Sequence, residues 1–323
     1  MEWSPLLNPV LCLLIPFFLF FLLKFYTDFK VSQAEKKYPP LGESVFVEGI
    51  GMHVLREGKG KPVVLIHGGF GSIYDFKLSL LDHVSKRYQA IAIDRPGHGY
   101  SQRPAHARMS LLDQARYLRE SVRALGIAQS VLVGHSLGGA VGLAYALLYP
   151  DEVAGLVLIG AYVTPFKGPT NPIHTVAFIP LMGSIYLQAL LQPLGRLVGP
   201  DILDKVFFPE RPPSDYVRAV LDLTLRPAHF RANAEDICNL NEGLRAIMEK
   251  YRDVQAPTVL ITGDKDLVAP RQIHADKLKA AIPHARLVIL EGIGHRPDFS
   301  RPQSVVEAID WVWEQAEVRS QKT

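Results

Sequence analysis

Six short, continuous apolar runs recur along this chain, and they limit its fold more than any other feature. They are "PVVLIHGG" (62–69), "QAIAIDRPGHG" (89–99), "SVLVGHS" (130–136), "VAGLVLIG" (153–160), "PTVLITGD" (257–264) and "ARLVILEG" (285–292). A run of this length without polar alternation suits a strand buried on both faces, as in a parallel sheet. Amphipathic helical patterns lie between most of them, at Tyr74–Lys86, Ser110–Leu125, Leu137–Tyr149, Arg271–Ala281 and Pro302–Ala316. Strands alternating with helices predict a doubly wound α/β sheet with right-handed crossovers. Ahead of them, "SVFVEGIGMHVLREG" alternates around a turn and predicts a β-hairpin.

The alternation lapses between Ala161 and about Val254, a proline-richer region of short helical patterns such as "PSDYVRAVLDLTL" and "AEDICNLNEGLRAIMEKY". An insertion of this size between sheet strands is expected to cover an active site. Most of its apolar residues would nonetheless serve its own packing. The expected divisions are therefore a core in two parts, 45–160 and 255–323, with a helical cap at 161–254.

The N-terminus is the compositional outlier. No charged residue occurs from Trp3 to Leu23, which matches the roughly 20 residues that a membrane-crossing helix needs. A cleaved signal peptide would want a basic leader and a small-x-small site. Here Glu2 is the only charged side chain before the apolar run, and no Ala-x-Ala follows it. An uncleaved single-pass anchor over 1–25 is expected, with Pro16 able to kink it. A linker over 26–44 would follow, ending in Pro39-Pro40. Lys24, Lys30, Lys36 and Lys37 come after the span, which by the positive-inside rule puts the rest of the chain on the cytoplasmic side.

The 323 residues, 48% hydrophobic and 21% charged, are ample for one large domain. A net charge of +3 without a long basic run argues against a nucleic-acid partner. The two cysteines, Cys12 and Cys238, make neither a disulfide framework nor a metal cluster. The oligomeric state is not legible.

Chemistry concentrates at the strand ends. "GHSLGG" places Ser136 between a strand and a helix, on a tight turn that strains the backbone and exposes Oγ. Gly134 and Gly138 fit this elbow, because side chains there would collide across the turn. The helix that follows favours developing negative charge at its N-terminus. A serine hydroxyl needs a base. Four of the eleven histidines sit at strand ends: His67, His98, His135 and His295. His135 adjoins the serine, so strand alternation sends its side chain to the other side. His67 and His98 fall in glycine turns, where packing or loop hydrogen bonding is expected. His295 follows the last strand, at the sheet edge where Ser136 emerges, and is the expected base.

The base needs a carboxylate to hold its tautomer. "GDKD" offers Asp264, in the tight turn itself, and Asp266, two residues on and able to point back over the sheet edge. Asp266 is preferred on chain position. The order Ser136, Asp266, His295 is that of a nucleophile elbow on such a sheet. An oxyanion hole needs main-chain N–H groups. Leu137 would supply one, and Gly69, or else Phe70, the other. No metal or organic cofactor is required.

Taken together, "HGGFG" (67–71), "DRPGHGYS" (94–101), "GHSLGG" (134–139), "GDKD" (263–266) and "GIGH" (292–295) resemble the α/β-hydrolase fold family over roughly residues 45–316. The resemblance implies a mostly parallel eight-stranded sheet flanked by helices, a helical cap after the sixth strand, and a Ser136–Asp266–His295 triad. Dehalogenase and epoxide hydrolase relatives use an aspartate nucleophile, which Ser136 argues against. Serine-bearing relatives include carboxylesterases, monoacylglycerol lipases, carbon–carbon bond hydrolases and haloperoxidase-like esterases. Arg296 departs from the pattern, since an apolar residue often follows the histidine. It leaves the triad intact and bears on the cap interface or substrate choice.

The expectation is a membrane-anchored serine hydrolase acting on a small-molecule ester through an acyl-enzyme. The anchor and the apolar cap residues Phe178, Ile179, Leu181, Ile185, Tyr186 and Leu190 point to a lipophilic, monoacylglycerol-like substrate. The alternatives are a tethered hydrolase of a non-lipid ester or carbon–carbon bond, and a non-catalytic binding protein on the same fold.

Overall fold

A computed structural model describes residues 9–104, 108–168 and 170–321, the side chains of 9–13 excepted. Eight strands form one sheet: β1 (Glu43–Val47), β2 (Ile50–Glu57), β3 (Pro62–Ile66), β4 (Gln89–Ile93), β5 (Ser130–His135), β6 (Val153–Ile159), β7 (Thr258–Gly263) and β8 (Arg286–Leu290). Their order is β1-β2-β4-β3-β5-β6-β7-β8. The hairpin β1–β2 is antiparallel and β2 pairs antiparallel with β4, while every other pairing is parallel. All six apolar runs become strands.

The two faces of the sheet explain why those runs show no polar alternation. Val64, Ile66 and Leu132 enter the apolar cluster on one face, and Val63, Leu65, Val131 and Val133 enter the cluster on the other. Successive residues point to opposite faces, so a strand covered by helices on both sides must be apolar throughout. Leu111–Ala124 and Leu137–Leu148 pack one face, and the C-terminal helix Pro302–Ser320 packs the other. The pattern at Tyr74–Lys86 is two short helices, Ile73–Lys77 and Leu81–Val84, rather than one. Between them, the Ser79 hydroxyl bonds back to the Asp75 carbonyl, an interaction that competes with helical bonding.

The cap lies between β6 and β7. Its main helices are Leu191–Phe207, Ser214–Thr224 and Pro227–Met248, preceded by short turns from Pro172 onward.

Helix α1 (Pro9–Lys37) is continuous through Pro16. It corrects the linker expectation, because residues 26–37 are helical and only the stretch from Tyr38 to β1 is irregular. That half of the helix has a packing role, since Thr27 and Ala34 are buried. Glu35 and Lys37 reach Arg226 and Asp222 of the cap at 3.4 and 3.5 Å. The expected anchor over 1–25 begins outside the described residues. Among the described residues, no single helix is long and apolar enough to cross a membrane. One bent pair in the cap, Pro172–Phe178 with Met182–Phe207, is together long and apolar enough, but with a 117° bend.

Candidate active site

The site is assembled by strand order. Because β3 and β5 are paired neighbours with Ile66 opposite Gly134, the turn after β3 ("HGGFG") and the turn after β5 ("GHSLG") emerge side by side. The connection after β3 runs to β4 on one side and the connection after β5 runs to β6 on the other, so the chain reverses direction between β3 and β5. This is the switch point at which open α/β sheets bind ligands.

Ser136 sits at φ 53° and ψ −120° between β5 and the helix Leu137–Leu148. A non-glycine residue there carries strain on the order of 1–3 kcal/mol, which persists only where the surroundings enforce it. Two close approaches do so. A Cβ on Gly134 would lie 2.6 Å from the Gly138 carbonyl oxygen, and one on Gly138 would lie 2.2 Å from that of Ile66. Leu137 opens the helix, so its N–H has no partner within it.

His295 Nδ1 and Asp266 Oδ2 are 2.8 Å apart, both side chains buried. The other Asp266 oxygen accepts the Val268 and Ala269 N–H groups, each at 2.8 Å. Burial works against the Asp266 carboxylate, but His295 and these N–H groups outweigh it and hold the carboxyl below its ordinary range. The acceptor at Nδ1 leaves His295 Nε2 as the nitrogen available for proton transfer. Gly160, just past β6, gives this pair its room: a Cβ there would lie 3.0 Å from His295 Nδ1. Asp264 instead closes the turn after β7, accepting the Gly292 N–H at 2.7 Å.

His135 departs from the alternation argument. Its ring lies 4.8 Å from that of His295, and its Nε2–H donates to the His295 carbonyl at 3.0 Å. The strand pleat ends at residue 135 because Ser136 turns to positive φ, so alternation no longer fixes where these two side chains point relative to each other. His67 is a loop-holding residue: its ring bonds the Gly68 carbonyl at 2.9 Å and accepts the Arg95 N–H at 2.9 Å.

Ser136, His135, Leu137, Gly69, Phe70 and His295 all border one cavity of about 650 Å³, within the range of small-molecule sites. Its walls include Leu191, Val198, Ile202, Val220 and Phe230 of the cap. The apolar cap residues singled out from sequence do not line it. Phe178, Ile179, Leu181, Ile185 and Leu190 are exposed, and Tyr186 packs inside the cap. Which face of an inserted helix meets the core depends on how the cap docks, and its sequence pattern does not encode that.

Phe70 departs from expectation as well. Its N–H donates to Asn233 Oδ1 at 2.7 Å and is not free for a substrate oxygen. Arg296 is buried beside the cavity, bonded through two nitrogens to Asp298 at 3.0 and 2.7 Å and to the cap hydroxyl of Tyr216. Its guanidinium also stacks within 4.6–5.6 Å of the Phe299, Tyr216 and Phe207 rings. It thus joins the histidine loop to the cap.

Six buried histidines give the fold a pH dependence. Burial above all pushes His135 down to about 3, His174 and His274 to about 4, and His67, His98 and His229 well below their usual range. Below about pH 6.5 the unfolded chain takes up protons on these rings and the folded chain does not. Stability therefore falls as pH drops from about 6.5 toward 4. Asp75, raised by burial to about 6, takes up a proton in the folded state and offsets one of them. The urea midpoint should be lower at pH 5 than at pH 7.5. An equal or higher midpoint at pH 5 would contradict this account.

Comparison with known proteins fits this architecture. A family model described as alpha/beta hydrolase fold matches residues 61–300. An uncharacterised protein of Mycobacterium bovis is 30% identical over 78% of this chain and 75% of its own length. A putative carbamate hydrolase, RutD, of Cronobacter turicensis is 26% identical over 76% of this chain and 88% of its own. Among solved structures, an esterase from Exiguobacterium antarcticum superposes with a TM-score of 0.67 at 23% identity, covering 84% of this chain and 99% of that one.

Proposed function

The chain belongs to the α/β-hydrolase fold family, and from that premise we propose that it is a serine hydrolase cleaving a carboxylic ester through an acyl-enzyme. The observation that carries this reading is the strained Ser136 in one cavity with His295, whose second ring nitrogen is held by buried Asp266. In this mechanism Ser136 Oγ attacks the ester carbonyl while His295 Nε2 takes its proton. Asp266 fixes the tautomer and stabilises the imidazolium. The N–H groups of Gly69 and Leu137 hold the oxyanion. His295 returns the proton to the leaving alcohol, then activates the water that clears the acyl group.

The apolar cavity walls favour a lipophilic acyl chain, as in a monoacylglycerol. The N-terminal helix supports a membrane anchor. Phe17 and Phe18 are 62% and 71% exposed, and Leu14, Ile15, Leu19, Phe21, Leu22 and Phe25 are exposed beside them. An apolar surface of that extent marks a contact with a membrane or another protein, and the charge-free run it continues selects the membrane. The following lysines favour a cytoplasmic side for the catalytic domain.

A fluorophosphonate probe tests the chemistry: the wild-type protein should be labelled at Ser136, and an unlabelled protein would overturn the serine-hydrolase reading. A panel of p-nitrophenyl esters, monoacylglycerols and carbamates tests the substrate class. Turnover should peak with medium or long acyl chains. Preference for acetate, or for a carbamate, would sink the lipophilic-ester reading. Protease protection in sealed vesicles tests the orientation, since digestion of the domain from the non-cytoplasmic side would reverse it.

A further inference from the structure

We infer that the cap builds the oxyanion hole, with Thr224 and Asn233 as positioning residues that grip Phe70 by both of its main-chain polar groups. The inference rests on the reading above, in which the Gly69 N–H receives the oxyanion.

Phe70 adopts φ 55°, a left-handed conformation that a bulky aromatic residue rarely takes. Such a conformation lasts only when neighbours over-determine it, and here the neighbours belong to the cap. The Phe70 N–H donates to Asn233 Oδ1 at 2.7 Å, from the helix Pro227–Met248. The Phe70 carbonyl accepts the hydroxyl of Thr224, the last residue of the helix Ser214–Thr224, at 2.7 Å. Its ring lies 5.5 Å from that of His174 and 6.1 Å from that of Phe230. Asn233 is fully buried, and its Nδ2 has no hydrogen-bond partner among the described residues. The side chain is thus held for its acceptor, which the Phe70 N–H uses, while its own amide donor finds no partner among the described residues.

The preceding peptide is fixed from the opposite side. Gly69 N–H and Gly68 C=O belong to one planar trans unit and point in opposite directions. The Gly68 oxygen accepts from Arg95 at 3.0 Å, and Arg95 in turn pairs with Asp236 of the cap at 2.6 Å, both side chains fully buried. The plane that aims the Gly69 N–H is therefore held by His67 of the core and, through Arg95 and Phe70, by Asp236 and Asn233 of the cap. Gly69 itself has no side chain to hold it. If the cap lifts, the turn loses the restraints from Thr224, Asn233 and Asp236, and the N–H is aimed less firmly.

The test is Thr224→Val, which keeps shape and removes the hydroxyl, beside Thr224→Ser, which keeps it, and Asn233→Leu. In Thr224→Val and Asn233→Leu, kcat, the fluorophosphonate labelling rate and the affinity for a trifluoromethyl ketone should fall together by about 10- to 100-fold. That ketone forms an oxyanion on Ser136. Affinity for a non-covalent fatty-acid product should stay within about 2-fold, and Thr224→Ser should stay near wild type. If Asn233→Leu does not fold, Thr224→Val carries the test alone, with its thermal midpoint as the control. Wild-type labelling rates in both folded variants, or losses confined to KM, would overturn the inference while leaving the serine-hydrolase reading standing. A wild-type protein inert to the probe would instead overturn that reading.

Discussion

Ser136→Ala should remove ester hydrolysis almost entirely, lowering kcat by about 10⁴-fold or more, because the acyl-enzyme cannot form without a nucleophile. The folded state should tolerate the change. Ser136 occupies a positive-φ position enforced by its glycine neighbours and by the β5–β6 register, not by its own hydroxyl. Its N–H to the Ile159 carbonyl, at 2.9 Å, survives the substitution. The residual rate would come from the oxyanion donors and binding alone. The measurement is kcat on the best ester of the panel, together with fluorophosphonate labelling. Equal labelling or undiminished turnover in Ser136→Ala would mean that another residue does the chemistry.

Asp266→Asn should be nearly as damaging, at about 10⁴-fold in kcat, for a reason that can be traced through single hydrogen bonds. Oδ1 accepts two main-chain N–H groups, so an asparagine oxygen must stay there. The amide nitrogen is then left facing His295 Nδ1, where the carboxylate now accepts at 2.8 Å. Two donors cannot face each other, so His295 must present a lone pair at Nδ1 and carry its proton on Nε2. That is the wrong tautomer to take a proton from Ser136. Asp264→Asn is the control. Asp264 offers a turn acceptor to Gly292 N–H, which an asparagine oxygen replaces, so activity should stay within a few-fold of wild type. Comparable losses in the two variants would sink the assignment of Asp266.

Both arguments use residues that the sequence exposes, because their positions are fixed locally. Each lies a few residues past a continuous apolar run, and parallel strands deliver such turns to one edge of the sheet. Continuous runs, unlike alternating ones, leave little doubt about burial on both faces. Gly134 is legible for a similar reason, since the Gly138 carbonyl that demands it lies within five residues of chain, whereas Gly138 is required by the Ile66 carbonyl of the neighbouring strand. Failures follow the same logic. His135 escaped the alternation rule because the rule stops where Ser136 leaves the strand. Residues 26–37 carry too few apolar residues to mark a helix in sequence, yet their polar residues face the cap and solvent along one continuous helix.

The sequence by itself determined the sheet and its helical layers, and it singled out Ser136, Asp266 and His295 as the candidates for the chemistry, since periodicity and turn chemistry act over a few residues. Only the tertiary structure decided which cap residues reach the site. Thr224 and Asn233 meet Phe70 across 154 and 163 positions of chain. Arg296 finds Tyr216 of the cap across 80. No pattern in the cap helices marks these contacts, because a polar residue on a helix looks the same in sequence whether it faces water or a strained main-chain turn. What separates the two is how the cap docks on the core, and that depends on the packing of the whole chain.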